Sequence, residues 1–551
     1  MMKNKRFILS ILFPMLFLMG LLFSTNSAKS KSIFSTIQKN LTILGEIYKA
    51  IPQRYVDDVD AEKLFKAGIN GMLNTLDPYT TYIEQEDQHE LEVITQGTYG
   101  GVGLLLSNRN EMVTVGDPPF LNTPAARAGI REGDIIINVD GIPTSKIGFD
   151  ETARRIRGPA GTEVKLTIRR EGEKNELEFI LIREQITIDD VDYSDILSDK
   201  IGYIRLIRFS KNAGSEVAQA IDDLKLKNIK GLILDLRSNP GGLLDAAVDV
   251  SDLFLPEDLT IVSTRGRNDN FNNIFKSQKK PLYGEGPLIV LVDQYSASAS
   301  EIVAGAIQDH DRGIVVGDTT FGKGLVQSVI SLPNTSALLK ITTAKYYTPS
   351  GRCIQTSNYS AWDQTDTTNN NLIYHTDNGR SVQGGGGIAP DIVVQLPILN
   401  DLLLDLQRKS LLFNFAVHYV STHTTLDSNF QITDEINQDF YDYLKEKEYE
   451  YHHPFENNLI TFKNEAIQNG YGNTLIQDIN RFQQTLIRSN EDMIAGNSEH
   501  IRKLLTQELS SKLFGKKKGI EMRLKDDPVI QKAFDLINNT ELYVSILHKA
   551  E

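Results

Sequence analysis

Three serines stand at alternate positions in Ser296-Ala297-Ser298-Ala299-Ser300-Glu301, shortly after the apolar run Leu288 to Val292 and just before a helical pattern over 299–309. A small hydroxyl at a helix N-terminus, next to free backbone N–H donors, suits attack on a carbonyl and stabilisation of the tetrahedral intermediate. Serine is also a favoured N-cap, so on these residues alone Ser296 or Ser298 reads first as a cap. A second stretch, Thr320-Phe321-Gly322-Lys323-Gly324-Leu325-Val326-Gln327, sets a lysine between two glycines. Lysine acts as a base only when its ammonium is desolvated, because an unperturbed pKa of about 10.4 leaves almost no neutral amine at pH 7. Flanking glycines let the backbone pack closely enough to help bury it. Phe-Gly-Lys-Gly could equally be a phosphate-binding turn, but it lacks the Walker spacing and a Ser/Thr after the lysine. A third stretch, Arg237-Ser238-Asn239-Pro240-Gly241-Gly242, opens onto another helical pattern. Two glycines there free a backbone N–H to face negative charge, as an oxyanion hole requires.

All three stretches follow strand-like runs. Ile201 to Ile207, Gly231 to Leu236, Pro287 to Val292 and Ile314 to Val316 are short and apolar, and helical patterns at 213–228, 243–255 and 299–309 alternate with them. Strands without polar alternation, separated by helices, predict a mostly parallel sheet covered on both faces, with its site beyond the carboxyl ends of the strands. Upstream, residues 97–185 change to short strands punctuated by glycine. Pro124 to Ile130 reads as a short helix closed by Gly129, Arg131-Glu132-Gly133-Asp134 as a turn, Ile135 to Val139 as a buried strand and Asp140-Gly141 as a second turn. That order resembles a PDZ domain. The resemblance implies that the loop Tyr99, Gly100, Gly101, Val102, Gly103 and Leu104 offers its N–H groups to a peptide carboxylate, the peptide adding as a strand beside it; a flexible turn before an edge strand is the alternative.

Taken together, Leu76-Asp77-Pro78, the PDZ-like stretch, Asp235 to Gly242, Ser296 to Glu301, Phe321 to Gly324 and Tyr347-Thr348-Pro349-Ser350-Gly351-Arg352 resemble the C-terminal processing peptidases, or tail-specific proteases. The resemblance covers residues 40–395. It implies an α/β multidomain chain with a crotonase/ClpP-like α/β protease core, an inserted PDZ domain, an N-terminal helical cap and a C-terminal helical domain. It further implies Ser298 as nucleophile, Lys323 as general base, Gln327 orienting that lysine, and an oxyanion hole from the Ala299 N–H with one N–H of the Gly241-Gly242 pair, either glycine being open. If 323 and 327 share a strand, alternation puts them on one side. Arg157, in Ile156-Arg157-Gly158-Pro159, falls where some relatives place a contact between PDZ domain and protease; a surface arginine is the alternative. A histidine base is the rival mechanism, and only His310 lies near these motifs. It sits at the far end of the helix that Ser298 begins, about 15 Å away for ten residues, and reads better as a residue favoured by the helix dipole. Protein substrates with exposed C-terminal tails are the implied partners, an adaptor or self-association is left open, and no cofactor is implied. A PDZ-bearing scaffold that no longer cuts is the alternative function, disfavoured by the intact Ser298, Lys323 and Gln327 set.

The rest of the chain bounds these readings. The length of 551 residues exceeds one hydrophobic core, and the expected division is 1–28 leader or anchor, 29–95 helical, 96–185 PDZ, 186–397 protease core and 398–551 helical, the last without an assigned role. Within the helical region Leu76-Asp77-Pro78-Tyr79 supplies a helix stop. The net charge of −14 argues against nucleic acid as a partner, and the lone Cys353, with no Cys/His cluster, permits no intramolecular disulfide and gives metal chemistry little weight. Lys3, Lys5 and Arg6 before the apolar run Phe7 to Phe23, then small residues to Ala28, read as an export signal. A cut after Thr25-x-Ser27 would release the chain; without it, the segment would anchor the enzyme outside the cytoplasm, in the periplasm or cell envelope. Gly515-Lys516-Lys517-Lys518, the one basic run, reads as a solvated loop.

Overall fold

The structure, a computed structural model, describes residues 34–356, 372–397, 399–423 and 432–548; the expected leader lies outside them. The chain forms two compact units, one comprising residues up to Glu84 with Gln327–Thr342, the other built from Gln85–Val326 with most of the chain after Thr343. Among the described residues no helix is long and apolar enough to cross a membrane.

In the larger unit the apolar runs do form a parallel sheet. Strands Ile201–Leu206, Gly231–Asp235, Leu288–Val292, Ile314–Gly317 and Ile392–Val393 pair in that order, and only the edge strand Val191–Ile196 is antiparallel. Because successive side chains face opposite ways, such a strand must be apolar throughout. Leu232, Leu234, Leu288, Val290 and Val292 pack with the helices Ala213–Leu226, Leu244–Asp252 and Ala299–Asp309. Ile233, Ile289 and Leu291 enter the opposite cluster. Each fully buried side chain of this kind is worth about 1.5–3 kcal/mol. The opposite face is covered by the last helices of the chain, Pro528–Asn538 and Thr540–Leu547, through Ile530, Ala533, Leu536, Ile537 and Tyr543. Tyr543 Oη accepts from the Leu288 N–H at 3.0 Å and donates to the Leu288 carbonyl at 3.2 Å, tying helix to strand.

The PDZ-like region has its own core and the strand order Leu106–Arg109, Met112–Val115, Ile135–Val139, Glu163–Arg169, Leu177–Ile182. Leu106–Arg109 is one of its two edges. The predicted short helix is Pro124–Ala128, closed by Gly129 in the left-handed region.

Helices Asp401–Arg408, Leu411–Thr422, Asp434–Glu446 and Ser498–Phe514 share a separate apolar cluster and meet the PDZ-like region directly. The Arg109 guanidinium lies 3.6 Å from the centre of the Phe413 ring, and Lys512 Nζ, 4.0 Å from the same ring, pairs with Glu132 at 2.9 Å in a buried position. Burial pushes the Glu132 carboxyl upward and Lys512 opposes it. Lys512→Met is therefore expected to cost about 3 kcal/mol in urea unfolding at neutral pH, because it strands a buried carboxylate. The sign with pH follows from the direction of the shift: a carboxyl raised in the folded state takes up its proton before the unfolded chain does, so the penalty is full above the folded pKa and shrinks on acidification. The basic run is not the expected solvated loop. It begins the helix Lys516–Lys525, where Lys516 pairs with Asp192 and Lys517 with Asp195 on the edge strand. Burial raises the Asp195 carboxyl, but hydrogen bonds from Lys517 and Lys227 outweigh it and hold it down at about 2.

In the smaller unit, helices 34–54 and Ala61–Leu73 are followed by a strand that helical periodicity did not anticipate, Thr81–Ile83, paired antiparallel with Leu338–Lys340. The stop at Leu76-Asp77-Pro78-Tyr79 is as read. Asp77 Oδ1 accepts the N–H groups of Tyr79 and Thr80, both at 2.8 Å, closing the turn into the strand.

Candidate functional site

The three serines differ sharply in environment. Ser296 is buried, donating to the Leu236 carbonyl at 2.8 Å and accepting from the Asp293 N–H at 2.9 Å; Ser300 is buried and donates to the Asn239 carbonyl at 2.9 Å. Both hydroxyls are structural. Ser298 is half-buried and occupies the N-cap position of the helix Ala299–Asp309 with φ 57° and ψ −111°. A non-glycine residue there costs about 1–3 kcal/mol and is retained only where the surroundings impose it. The strain has a readout: Ser298→Gly is expected to raise unfolding stability by about 1 kcal/mol, measured by thermal melting.

Two neighbours impose that conformation. Gly241, at φ +95°, packs its Cα against the serine turn; a Cβ there would lie 2.6 Å from the Ala297 carbonyl oxygen and 2.9 Å from the Ala299 nitrogen. Asn239 holds this approach: its backbone carbonyl accepts from the Ala297 N–H at 3.0 Å, and its side chain bridges the Leu206 carbonyl and the Gly241 N–H. The Gly241 N–H is thus occupied. The N–H groups of Gly242 and Ala299 donate to no protein acceptor among the described residues.

The second neighbour is Glu301, fully buried. Its Oε2 accepts from the Ser298 N–H at 2.7 Å and the Lys323 N–H at 2.9 Å; its Oε1 accepts from the Gly322 N–H at 2.7 Å and the Thr320 hydroxyl at 2.6 Å. Burial pushes this carboxyl up and the four donors counter it. One carboxylate therefore ties the serine turn to the lysine turn, reinforced by Phe321 N–H to the Ser296 carbonyl at 3.0 Å. Gly322 must be glycine: at φ +84° a Cβ would fall 1.7 Å from Thr356 Oγ1. Lys323 is half-buried in this turn. It precedes the strand Leu325–Ser331, so the alternation expected to align it with Gln327 does not apply. Gln327 lies on that strand, in the smaller unit.

Helix Ala299–Asp309 ends at His310, whose Nδ1 lies 2.7 Å from Asp377 Oδ2 and whose Nε2 lies 2.7 Å from the Thr260 carbonyl oxygen. Both ring nitrogens are engaged structurally at the end of the helix away from Ser298. Tyr99, Gly100 and Gly101 belong to the strand Thr98–Gly101, paired with Glu184–Thr187, so the loop proper begins at Val102 and continues through Gly103 and Leu104 to the edge strand. Arg157 caps the helix Thr144–Ile156, its guanidinium 5.8 Å from the centre of the Tyr99 ring, a contact inside the PDZ-like region. Sequence reasoning gave Glu301, Asn239 and Thr320 no role. Ser298-x-x-Glu301 has the spacing of a capping box, which was the available signal for Glu301; Asn239 and Thr320 act through tertiary contacts that have no local pattern.

Four family models match. The peptidase family S41 model covers residues 200–360, a PDZ domain model 121–170, a model of the activating protease CtpB N-terminal domain 22–87, and a probable PDZ-protease C-terminal helical domain 402–537. A carboxy-terminal-processing protease of Bartonella bacilliformis is 40% identical over 364 residues, covering 65% of this chain and 76% of that protein. A carboxyl-terminal-processing protease of Synechocystis sp. is 38% identical over 362 residues, covering 60% and 82%. A solved photosystem II D1 C-terminal processing protease is 26% identical, with a TM-score of 0.35 and coverage of 65% of this chain and 94% of that one. On the identity and coverage of the two sequence relatives, this chain belongs to the carboxy-terminal-processing proteases, serine peptidases of family S41 that carry a PDZ domain.

Proposed function

We propose that this serine peptidase cleaves exported proteins near their C-termini through an acyl-enzyme, with Ser298 as nucleophile and Lys323 as general base. The observation that carries the reading is the contrast within the serine run: two hydroxyls are buried in main-chain hydrogen bonds, while Ser298 is half-exposed, strained and joined through Glu301 to the backbone of Lys323. The neutral lysine amine takes the Ser298 proton as Oγ attacks the scissile carbonyl. The resulting ammonium gives that proton to the leaving amine, and water repeats the sequence on the ester. Gly242 and Ala299 supply the oxyanion donors, because the Gly241 N–H is already held by Asn239. Gln327 orients the lysine amine.

The substrate tail adds beside the edge strand Leu106–Arg109, its carboxylate received by the loop Val102–Leu104. Tyr99, Gly100 and Gly101 brace that loop, and Arg157 on the Tyr99 ring is a candidate for transmitting its occupancy. The leader-like run Phe7 to Phe23 supports export to the periplasm or cell envelope. The reading is tested by mapping the C-termini of cell-envelope proteins in cells carrying the parent enzyme or Ser298→Ala. Tails that stay longer only with Ser298→Ala support it, and identical C-termini in both would overturn it.

A further inference from the structure

Tyr346 takes no part in the reaction above, yet it touches both the serine turn and the lysine turn, and all three lie in the larger unit. It is buried near the end of the strand Leu338–Tyr347, opposite Thr264 on the strand Thr260–Gly266. Its Oη lies 3.1 Å from the Ser298 carbonyl oxygen, and its N–H donates to the Gly324 carbonyl at 2.9 Å. A carbonyl can only accept, so the hydroxyl proton is committed to Ser298. Burial, together with the Glu301 charge, raises the phenol well above its usual range, so this proton stays in place at neutral pH.

The peptide between Ser298 and Ala299 is planar and trans, so its C=O and N–H point in opposite directions. A donor on the Ser298 carbonyl therefore sets where the Ala299 N–H aims, and that N–H is one of the two assigned to the oxyanion. The same carbonyl accepts from the N–H groups of Glu301 at 2.9 Å and Ile302 at 3.0 Å. Those bonds orient the peptide on its own helix and move with it. Tyr346 stands outside the helix, and its main chain holds Gly324, the residue after Lys323; the Gly324 N–H is held in turn by Gln355 Oε1 at 2.8 Å. We propose that Tyr346 is a positioning residue that sets the Ala299 N–H of the oxyanion hole in register with the lysine turn, its hydroxyl holding the serine side and its N–H the lysine side. The inference rests on the roles given to Ser298, Lys323 and Ala299 above and adds the residue that spans them.

The test uses the full chain, an unfolded reporter protein with an apolar C-terminal tail, and a peptide aldehyde ending at the residue where that reporter is cut, with the matching alcohol as control. Tyr346→Phe keeps the ring and the Gly324 bond and removes only the donor. The Ser298 carbonyl retains two others, so no buried acceptor is stranded and the melting temperature is expected to stay close to the parent. The value of kcat is expected to fall about tenfold with KM little changed. The aldehyde, whose carbonyl carbon bonds to Ser298 Oγ and leaves its oxygen in the hole, should bind about tenfold more weakly, and the alcohol, which forms no adduct, as it does to the parent. Parent-like kcat in Tyr346→Phe, a loss confined to KM, or equal weakening of aldehyde and alcohol would overturn the proposal. So would failure of both Tyr346→Phe and Tyr346→Leu to fold, which would give the residue a place in the core alone. A reporter still cleaved by Ser298→Ala, or an aldehyde that binds the parent no better than the alcohol, counts against the serine reading instead and takes this inference with it.

Discussion

Replacing Lys323 with alanine is expected to lower turnover on the order of 10^4-fold or more, the scale on which a serine enzyme loses rate without its base. The backbone of the lysine turn is held by Glu301 through the Gly322 and Lys323 N–H groups, and the side chain beyond Cβ takes no part in that hold. That backbone anchor is kept in the variant, and the loss should appear in kcat with KM little changed. Lys323→Arg makes the sharper comparison. It keeps the positive charge and much of the length, but a guanidinium has no neutral form to accept a proton, so it is expected to be as inactive as alanine. An arginine variant with substantial activity would mean the residue serves only as a charge.

Glu301→Gln is expected to be the second most damaging change, although the residue touches no substrate. Four donors converge on its two oxygens, from Ser298, Lys323, Gly322 and Thr320. Glutamine keeps one acceptor oxygen and turns an NH2 group toward the other pair of donors. Each buried N–H or O–H left facing a donor costs about 1–3 kcal/mol, so unfolding stability should drop by roughly 2–6 kcal/mol for two such groups. The larger consequence is geometric. The serine and lysine turns lose their common anchor, and a displacement near 1 Å between reacting groups can cost about 100-fold in rate. Circular dichroism melts and kcat at a temperature well below the transition separate the two effects. Parent-like kcat in a folded Glu301→Gln would show that the shared carboxylate does not hold the site together.

The parts of this molecule that were legible in its sequence are those set by neighbours in the chain. The four core runs and the helices near 213, 243 and 299 appear almost where apolar patterning put them, because a strand buried on both faces leaves a continuous apolar signature. The short helix closed by Gly129 and the stop at Pro78 were legible because neighbours in the chain set them too. What escaped depends on distant residues. The second layer of the core comes from Ile537 and Tyr543, whose hydroxyl meets Leu288 across 255 positions, and a helix-period stripe does not name the sheet it will cover. Lys516 and Lys517 read as solvated because Asp192 and Asp195 lie more than 300 residues away in the chain. Within the site, the serine run and the glycine pair were visible as candidates. The resemblance already implied Ser298 and left the glycine pair open; the burial of Ser296 and Ser300 that sets Ser298 apart, and the Asn239 side chain that accepts from the Gly241 N–H, have no periodic signature. Lys323 preceding its strand rather than lying on it reflects Gly322 and Gly324, which pack against Thr356 and Gln355 and keep the turn off the sheet.

The central claim is that the Ser298 hydroxyl cuts with a lysine, and no histidine, as its base. The most direct measurement is the initial rate of cleavage of one unfolded, tail-bearing protein by the parent, Ser298→Ala, Lys323→Ala and His310→Ala side by side, with products identified by mass. The account predicts no cleavage by Ser298→Ala or Lys323→Ala, and the parent's product pattern from any folded His310→Ala. Parent-like cleavage by Ser298→Ala, or cleavage kept by Lys323→Ala and lost in a folded His310→Ala, would contradict it.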